Sequence, residues 1–307
     1  MWWCQVSDTI RLLNGKEIPI SVVRHYLPRI AWRRETKIEQ RGNFDEKYPE
    51  DVLTAFLVAG RQIFDKQILI QRKRELIGFQ PIQVVSNGEG RIFHRRIPGR
   101  RYLIGADPAT GRQLGTDDTD RSAAVVLDLE TGEEMAAYRS IVRPEEFGLD
   151  LADLGRYFNM ATIAVERTGD GGSVILTLVN DCRYTAIYKH RDWWKRERKV
   201  VEFEGFPTTT KTRPIAVNFL NAFVCEHPEL VWDEQFIDEA LVFVRDEKGV
   251  PKASGNNHDD TVSARWIAHA ARRLLLGWWD PITAKREEYL EAGRITNISS
   301  AGTVAVS

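Results

Sequence analysis

An α/β fold, a mixed sheet with helices on both faces, is what this sequence predicts, and three observations predict it. Short apolar runs of strand length, such as "RYLIGAD" and "ATIAVE", end in an acid. Three such runs come first, two of them joined by the turn "ETGE", which reads as an antiparallel meander. Stretches with helical spacing then alternate with further strands, an order that covers a sheet on both sides.

The first hundred residues are irregular. "PEDVLTAFLVAG" is the clear helix there, with Pro49 near its first position and Gly60 at its stop. A shorter helix is expected over about 65–77. "SNGEGRIFHRRIPGR" reads as turn and linker, because Gly88, Gly90, Pro98 and Gly99 punctuate it, so a boundary is expected near residue 98. The meander follows over 101–107, 122–129 and 133–140. A helix is expected from Pro144 to Tyr157, with Phe147, Leu151 and Leu154 on one face. A strand over 161–166, a helix over 171–181, the strand "YTAIYKH", a helix over 213–226 and a last helix over 258–277 complete the order. The expected division is a linker-like segment 1–98, a main domain 99–279 and a tail 280–307.

Composition sets the outer limits. Of 307 residues, 43% are hydrophobic and 28% charged, ordinary values for a globular chain. Cys4, Cys182 and Cys225 are widely spaced and make no zinc or C-x-x-C pattern, so reduced thiols are expected. No signal-peptide core and no run of about 18 apolar residues is present, so neither secretion nor a membrane span is expected. A net charge of −1 means that any nucleic-acid surface must be local.

The acids carry the chemistry. Asp107 ends the first strand of the meander, Glu166 ends the fourth strand, and Asp259 and Asp260 open the last helix. In an open α/β sheet, strand ends and helix starts converge on the ligand site. Taken singly, an acid at a strand end is a solvated turn residue, and an Asp before a helix is its N-cap. Taken together, several carboxylates at one place need compensation, or some must take up protons. Hard divalent cations, Mg²⁺ or Mn²⁺, supply it. Two of them about 3.5–4 Å apart can activate water against a phosphodiester.

Three other features are open to two readings. "TGDGGS" is either a phosphate cradle at a helix start or a tight turn that brings the helix against the strand of Glu166. "YKHRDWWKRERK" offers Lys189, Arg191, Lys195, Arg196 and Arg198 to phosphates, interleaved with tryptophans, or is a solvated hairpin packed on the domain. Lys211 and Arg213 precede a helix where they can meet a phosphate. His258 is either a group for proton transfer or, the preferred reading, a helix-flanking residue with local hydrogen bonds, and no convincing Ser/His/Asp or Cys/His arrangement is present.

The set "YLIGADPATG", "DRSAAVVLDLETGE", "ATIAVERTGDGG", "TTTKTRPIAV" and "NNHDDTVSARWIA" resembles the nuclease domain of tailed-bacteriophage terminase large subunits, over about residues 101–273. Upstream, "YPED" followed by "AF" resembles the segment that joins that family's ATPase motor to its nuclease. The resemblance implies a ribonuclease H-like fold and an endonuclease that cuts concatemeric double-stranded DNA during genome packaging. It implies two Mg²⁺ or Mn²⁺ ions per site, products with a 3′-hydroxyl and a 5′-phosphate, and low sequence specificity. Asp107 matches the first metal-binding acid, Glu166 the second, and the Asp259/Asp260 pair the third, with either as the main ligand. Asp120 matches an auxiliary acid, and the basic stretch falls where the family carries a protruding hairpin. The implied partners are double-stranded DNA, a terminase ATPase domain or subunit, the small terminase and the portal, in the cytoplasm of an infected or lysogenic bacterial host.

One departure is plain. No G-x-x-x-x-G-K-[ST] string occurs, so this chain is expected to bind no ATP by that route and to act as the nuclease part of a larger or divided machine. Two rival readings are a resolvase or transposase of the same fold, against which "YPED" speaks, and a non-catalytic docking module of a packaging motor, against which the complete acid set speaks.

Overall fold

The computed structural model describes residues 9–11, 17–19, 61–85, 89–111, 121–194, 199–246, 249–254 and 258–278. The chain divides into two compact units, Met1–Gly60 and Arg61–Ser307. In the first, β1 (Thr9–Arg11) pairs antiparallel with β2 (Glu17–Pro19). The helix expected at "PEDVLTAFLVAG" lies outside the described residues.

The second unit opens with β3 (Arg61–Gln62) and α1 (Lys66–Glu75), whose N-cap Asp65 accepts from the N–H groups of Gln67 and Ile68. The meander is then β6 (Tyr102–Asp107), β7 (Ser122–Asp128) and β8 (Glu134–Ser140). It is preceded by β4 (Gln83–Val85) and β5 (Gly90–Ile92) and followed by α2 (Pro144–Tyr157) and β9 (Thr162–Val165). The helix α3 (Gly171–Leu176) ends in a wide turn in which the Cys182 N–H donates to the Thr177 carbonyl. A hairpin of β10 (Lys189–Trp194) and β11 (Lys199–Glu204) leads to α4 (Thr212–Glu226) and α5 (Glu234–Leu241). The strands β12 (Phe243–Arg245) and β13 (Pro251–Ala253) precede α6 (Asp260–Leu275).

Six strands form the main sheet in the order β4-β5-β8-β7-β6-β9. All neighbours are antiparallel except β6 and β9, and a further parallel bridge joins Ile163 to Ile187. An antiparallel meander whose first strand pairs in parallel with a fourth is the ribonuclease H-like sheet that the sequence predicts. Helices flank it: α2 and α3 lie on one face, and α6 crosses the other.

Strand alternation sorts the two faces. Ile104, Ala106, Val126, Tyr138, Ile163 and Val165 point toward Phe147, Leu151, Val174 and Leu178 of α2, α3 and the wide turn. The opposite residues, Leu103, Gly105, Val125 and Leu127, lie under α6, where Val125 and Leu127 pack with Ala268. Gly105 is why the helix can come so close. A Cβ at that position would stand 2.3 Å from the Ala264 carbonyl oxygen and 2.6 Å from the Ala268 Cβ. Glycine inside a strand is the residue that admits such an approach.

A buried ionic network anchors α6 at its middle. Arg265, 1% exposed, donates to Glu134 at 2.6 Å, to Asp233 at 2.9 Å and to the Thr261 carbonyl at 3.0 Å. Glu134 also accepts the N–H groups of Trp232 and Asp233. A buried pair of this kind persists only when its remaining hydrogen-bonding groups are met, as here.

Two expectations are corrected. The stretch read as turn and linker contains β5, which pairs with β8, Ile92 opposite Ala136. Of residues 61–98, β4 and β5 join the main sheet while β3 pairs with β12 in a separate one, and all fall in the compact unit that starts at Arg61. "YTAIYKH" is not one strand: a single bridge at Ile187 precedes β10, which starts at Lys189. Among the described residues, no helix is long and apolar enough to cross a membrane.

Candidate active site

Parallel pairing brings the first two acids together. Ala106 stands opposite Val165, so the next residues, Asp107 and Glu166, leave neighbouring strands side by side. The Glu166 N–H donates to the Ala106 carbonyl at 2.8 Å and keeps this alignment to the strand end. By alternation both side chains lie on the face that α6 covers. Strands are spaced about 4.8 Å apart, so two carboxylates here are close neighbours.

The helix brings the third acid. Asp260, Ala264 and Ala268 fall at intervals of four and share one face of α6. Ala264 and Ala268 sit over Gly105, so Asp260 projects toward the C-terminal end of β6, where Asp107 stands. Asp259 precedes the helix and turns elsewhere, to Arg213, at 2.9 Å. The adjacent acids therefore have different surroundings.

The carboxyl of Asp107 is pushed well above the usual carboxylate range. Burial is the main cause, followed by its hydrogen bond to Glu166 and the negative charges of Glu166, Asp260 and Asp259, in that order. The other three acids thus act on one group, Asp260 more strongly than Asp259. Burial and the neighbouring negative charges disfavour the ionised form of Asp107, as expected where a cluster of acids has too little positive charge nearby. Glu166 is steadied from its other side by the Thr168 hydroxyl at 2.7 Å.

Asp259 does not cap the helix that it precedes, which departs from the ordinary expectation for Asp at that position. The cap comes from α5. Glu239 accepts from the N–H of Thr261 at 2.8 Å, from its hydroxyl at 2.5 Å and from the N–H of Val262 at 3.4 Å. Burial raises the Glu239 carboxyl, while the Thr261 hydroxyl, Arg139 and Arg265 act to lower it. Arg139, on β8, reaches Glu239 at 3.2 Å and Asp260 at 3.3 Å with the same nitrogen. It stands in a row across the sheet, Arg139 beside Ala123 and Ala123 beside Asp107, all facing α6. The His258 ring lies 4.0 Å from Asp260.

The remaining expected residues fall as follows. Asp120, Lys195, Arg196 and Arg198 lie outside the described residues. Lys189 faces Glu204 across the hairpin, and Arg191 pairs with Glu202 at 3.2 Å, so the described part of the basic stretch has acids opposite its bases. Lys211 is exposed at the start of α4, where the Thr209 hydroxyl accepts the N–H groups of Lys211 and Thr212. Arg213, in the first turn, is joined to Asp259, with both side chains 29% exposed. In "TGDGGS" the geometry is that of the tight turn. A Cβ on Gly171 would meet the Glu166 carbonyl oxygen at 1.7 Å, so the glycine lets α3 start against that strand end.

Arg139, Glu239 and Thr168 were not singled out from the sequence. Only Gly105 carried a readable signal, as a glycine within an apolar strand.

Four hard carboxylates suit a divalent cation in kind. Among the described residues, however, no three or more His, Cys, Asp or Glu side chains close on one point as a finished metal site would. Asp259 and Asp260 are engaged by arginines instead. In kind, Asp107, Glu166 and Asp260 are the carboxylates that could hold such a cation.

No family model matches the chain, and no curated protein matches it. Solved structures do resemble it. The large terminase nuclease from thermophilic phage G20c with bound magnesium aligns at a TM-score of 0.48 and 18% identity, over 68% of this chain and 97% of that one. The same nuclease with bound cobalt gives 0.47 and 18%, over 68% and 97%. The Thermus phage P74-26 large terminase nuclease domain gives 0.44 and 18%, over 66% and 95%. Likenesses of this size carry no part of the functional reading, which rests on this chain's own residues.

Proposed function

We propose that this chain is a metal-dependent DNA endonuclease of the terminase type, cutting concatemeric double-stranded DNA as genomes are packaged. One observation carries the reading: Asp107 and Glu166 leave adjacent parallel strands side by side, under the helix start that bears Asp260. The five sequence motifs that resemble the terminase nuclease family supply these same residues. Their carboxylates would hold Mg²⁺ or Mn²⁺, and two ions per site is the finer form of the proposal. A bound divalent cation supplies charge neutralisation at a phosphate and an activated water.

The chain's own groups do the rest. Asp107 and Glu166 would be the main ligands, because a cation would offset the crowded negative charge that disfavours ionised Asp107. Thr168 keeps Glu166 turned toward the cluster. Arg213 and Lys211, beside the acids at the start of α4, meet the backbone phosphates of the duplex, and the hairpin bases Lys189, Arg191, Lys195, Arg196 and Arg198 extend that contact. Phosphate contacts carry no sequence information, so cutting is indiscriminate. The implied partners are the terminase ATPase, small terminase and portal, in the cytoplasm of a bacterial host.

The test is nicking of supercoiled plasmid in Mn²⁺ by the wild-type chain and by Asp107→Asn. Metal-dependent nicking that the variant lacks supports the reading. Cutting by the variant at the wild-type rate overturns the site, and a wild-type chain inert on DNA at every metal concentration overturns the function.

A further inference from the structure

Asp259 and Asp260 are neighbours in sequence, yet only one of them faces Asp107, and the reason lies outside the pair. Helix α6 has no cap of its own from Asp259. Its first N–H groups are met by Glu239, a residue of α5, through a single oxygen that also accepts the Thr261 hydroxyl. The other Glu239 oxygen makes no hydrogen bond among the described residues but stands 3.2 Å from an Arg139 nitrogen, an ion pair. The same Arg139 nitrogen stands 3.3 Å from Asp260 Oδ2. One guanidinium thus ties the capping carboxylate to the first residue of the capped helix.

Arg139 itself is not at an optimum for its own sake. Its Nε–H is enclosed and has no hydrogen-bond partner among the described residues, which is costly for a buried donor. Its tip is instead spent on two acids from two helices. Arg139 also shares a row with Asp107 across the sheet, separated only by Ala123, so the same strands that fix Asp107 fix Arg139. A planar fork can span two carboxylates in this way, whereas an ammonium is a point charge.

We infer that Arg139 and Glu239 are positioning residues for the candidate active site, holding Asp260 as the acid that completes the Asp107 and Glu166 pair and leaving Asp259 to Arg213. This rests on the nuclease reading, since it assigns work to residues that support those acids. Neither residue touches the reacting atoms. Both act through the place and the direction of the Asp260 carboxylate. Supporting partners of metal-binding side chains change affinity by about 10–100-fold when removed.

The experiment is a titration of Mn²⁺ into the purified chain, followed by loss of the free ion's electron paramagnetic resonance signal, a measure of binding that needs no turnover. Arg139→Gln and Glu239→Gln are each expected to weaken Mn²⁺ uptake by roughly 10-fold or more, with Arg139→Lys recovering part of the loss. In an Asp260→Asn background, Arg139→Gln is expected to weaken uptake no further, because its effect passes through Asp260. If Arg139→Gln leaves uptake unchanged, or weakens it by the same factor with and without Asp260, the positioning role is overturned while the site stands. If the wild-type chain takes up no Mn²⁺, the site itself is overturned and this inference with it. Thermal melts of each variant identify any that fail to fold, and Arg139→Lys, which keeps the charge, then decides.

Discussion

Gly105 lies directly beneath Ala264, so close that a methyl group on the glycine would stand 2.3 Å from the alanine's carbonyl oxygen. The contact is backbone against backbone, and neither partner can rotate away. The seat of α6 on the sheet, and hence the height of Asp260 above Asp107, is set here.

Gly105→Ala is therefore expected to destabilise the fold by about 1–3 kcal/mol, the ordinary cost of forcing a methyl into a packed interior. It should weaken Mn²⁺ uptake as well, because the helix must lift at the end that carries Asp260. A urea denaturation midpoint unchanged from wild type would refute the first part.

Asp107→Asn is expected to abolish metal-dependent nicking while melting at or above the wild-type temperature. Burial and the charges of Glu166, Asp260 and Asp259 disfavour an ionised group at this position, and an amide there cannot ionise. A variant that melts well below wild type would mean that Asp107 is a structural residue.

Glu202 pairs with Arg191 on the hairpin and so competes with DNA for it. Glu202→Gln should tighten binding of unrelated duplexes alike at low salt. It should also steepen the log–log salt dependence by up to about 0.9, the value of one added phosphate contact. A slope identical to wild type would remove Arg191 from the DNA surface.

His269 gives a pH dependence. The ring is buried, 4% exposed, and burial, followed by the charges of Arg272, Arg265 and Arg273, lowers its pKa well below the ordinary value. The unfolded chain then binds this proton before the folded one does. Its contribution to stability is fully present above about pH 6.5 and is lost as pH falls below that value, by at most about 1.4 kcal/mol per pH unit. His269→Gln should be less sensitive than wild type between pH 7.5 and 5.5 in denaturant titrations. Equal slopes for the two proteins would count against a neutral buried ring.

What the sequence disclosed, and what it hid, follows from how far each interaction reaches along the chain. Helix α2 was legible to its ends, because Pro144 starts it and Phe147 and Leu151 repeat on one face. "YLIGAD" was legible as a strand ending in an acid, and so was the placement of Asp107 and Glu166 at strand ends and of the Asp259/Asp260 pair at a helix start. The strand β5 was not, since three residues that begin with a glycine hold no pattern, and β8 supplies their pairing from more than forty positions away. The different surroundings of Asp259 and Asp260 were also hidden. They depend on Arg213, Arg139 and Glu239, which reach them from other elements, the farthest from 121 positions away.

The cap that Glu239 places on α6 has a consequence for chain length. Between Leu241 and Asp260 the backbone makes an excursion through β12 and β13, closed at its base by the Ser254 N–H on the Val242 carbonyl. Glu239 ties the helix before this excursion to the helix after it. The acids are thus located from outside the intervening hairpin, and insertions or deletions near Gly249 can be accommodated at its tip without passing a displacement to Asp260. A splice point of that kind lets a new segment be added a short path from the acids of the candidate site while their geometry is inherited unchanged.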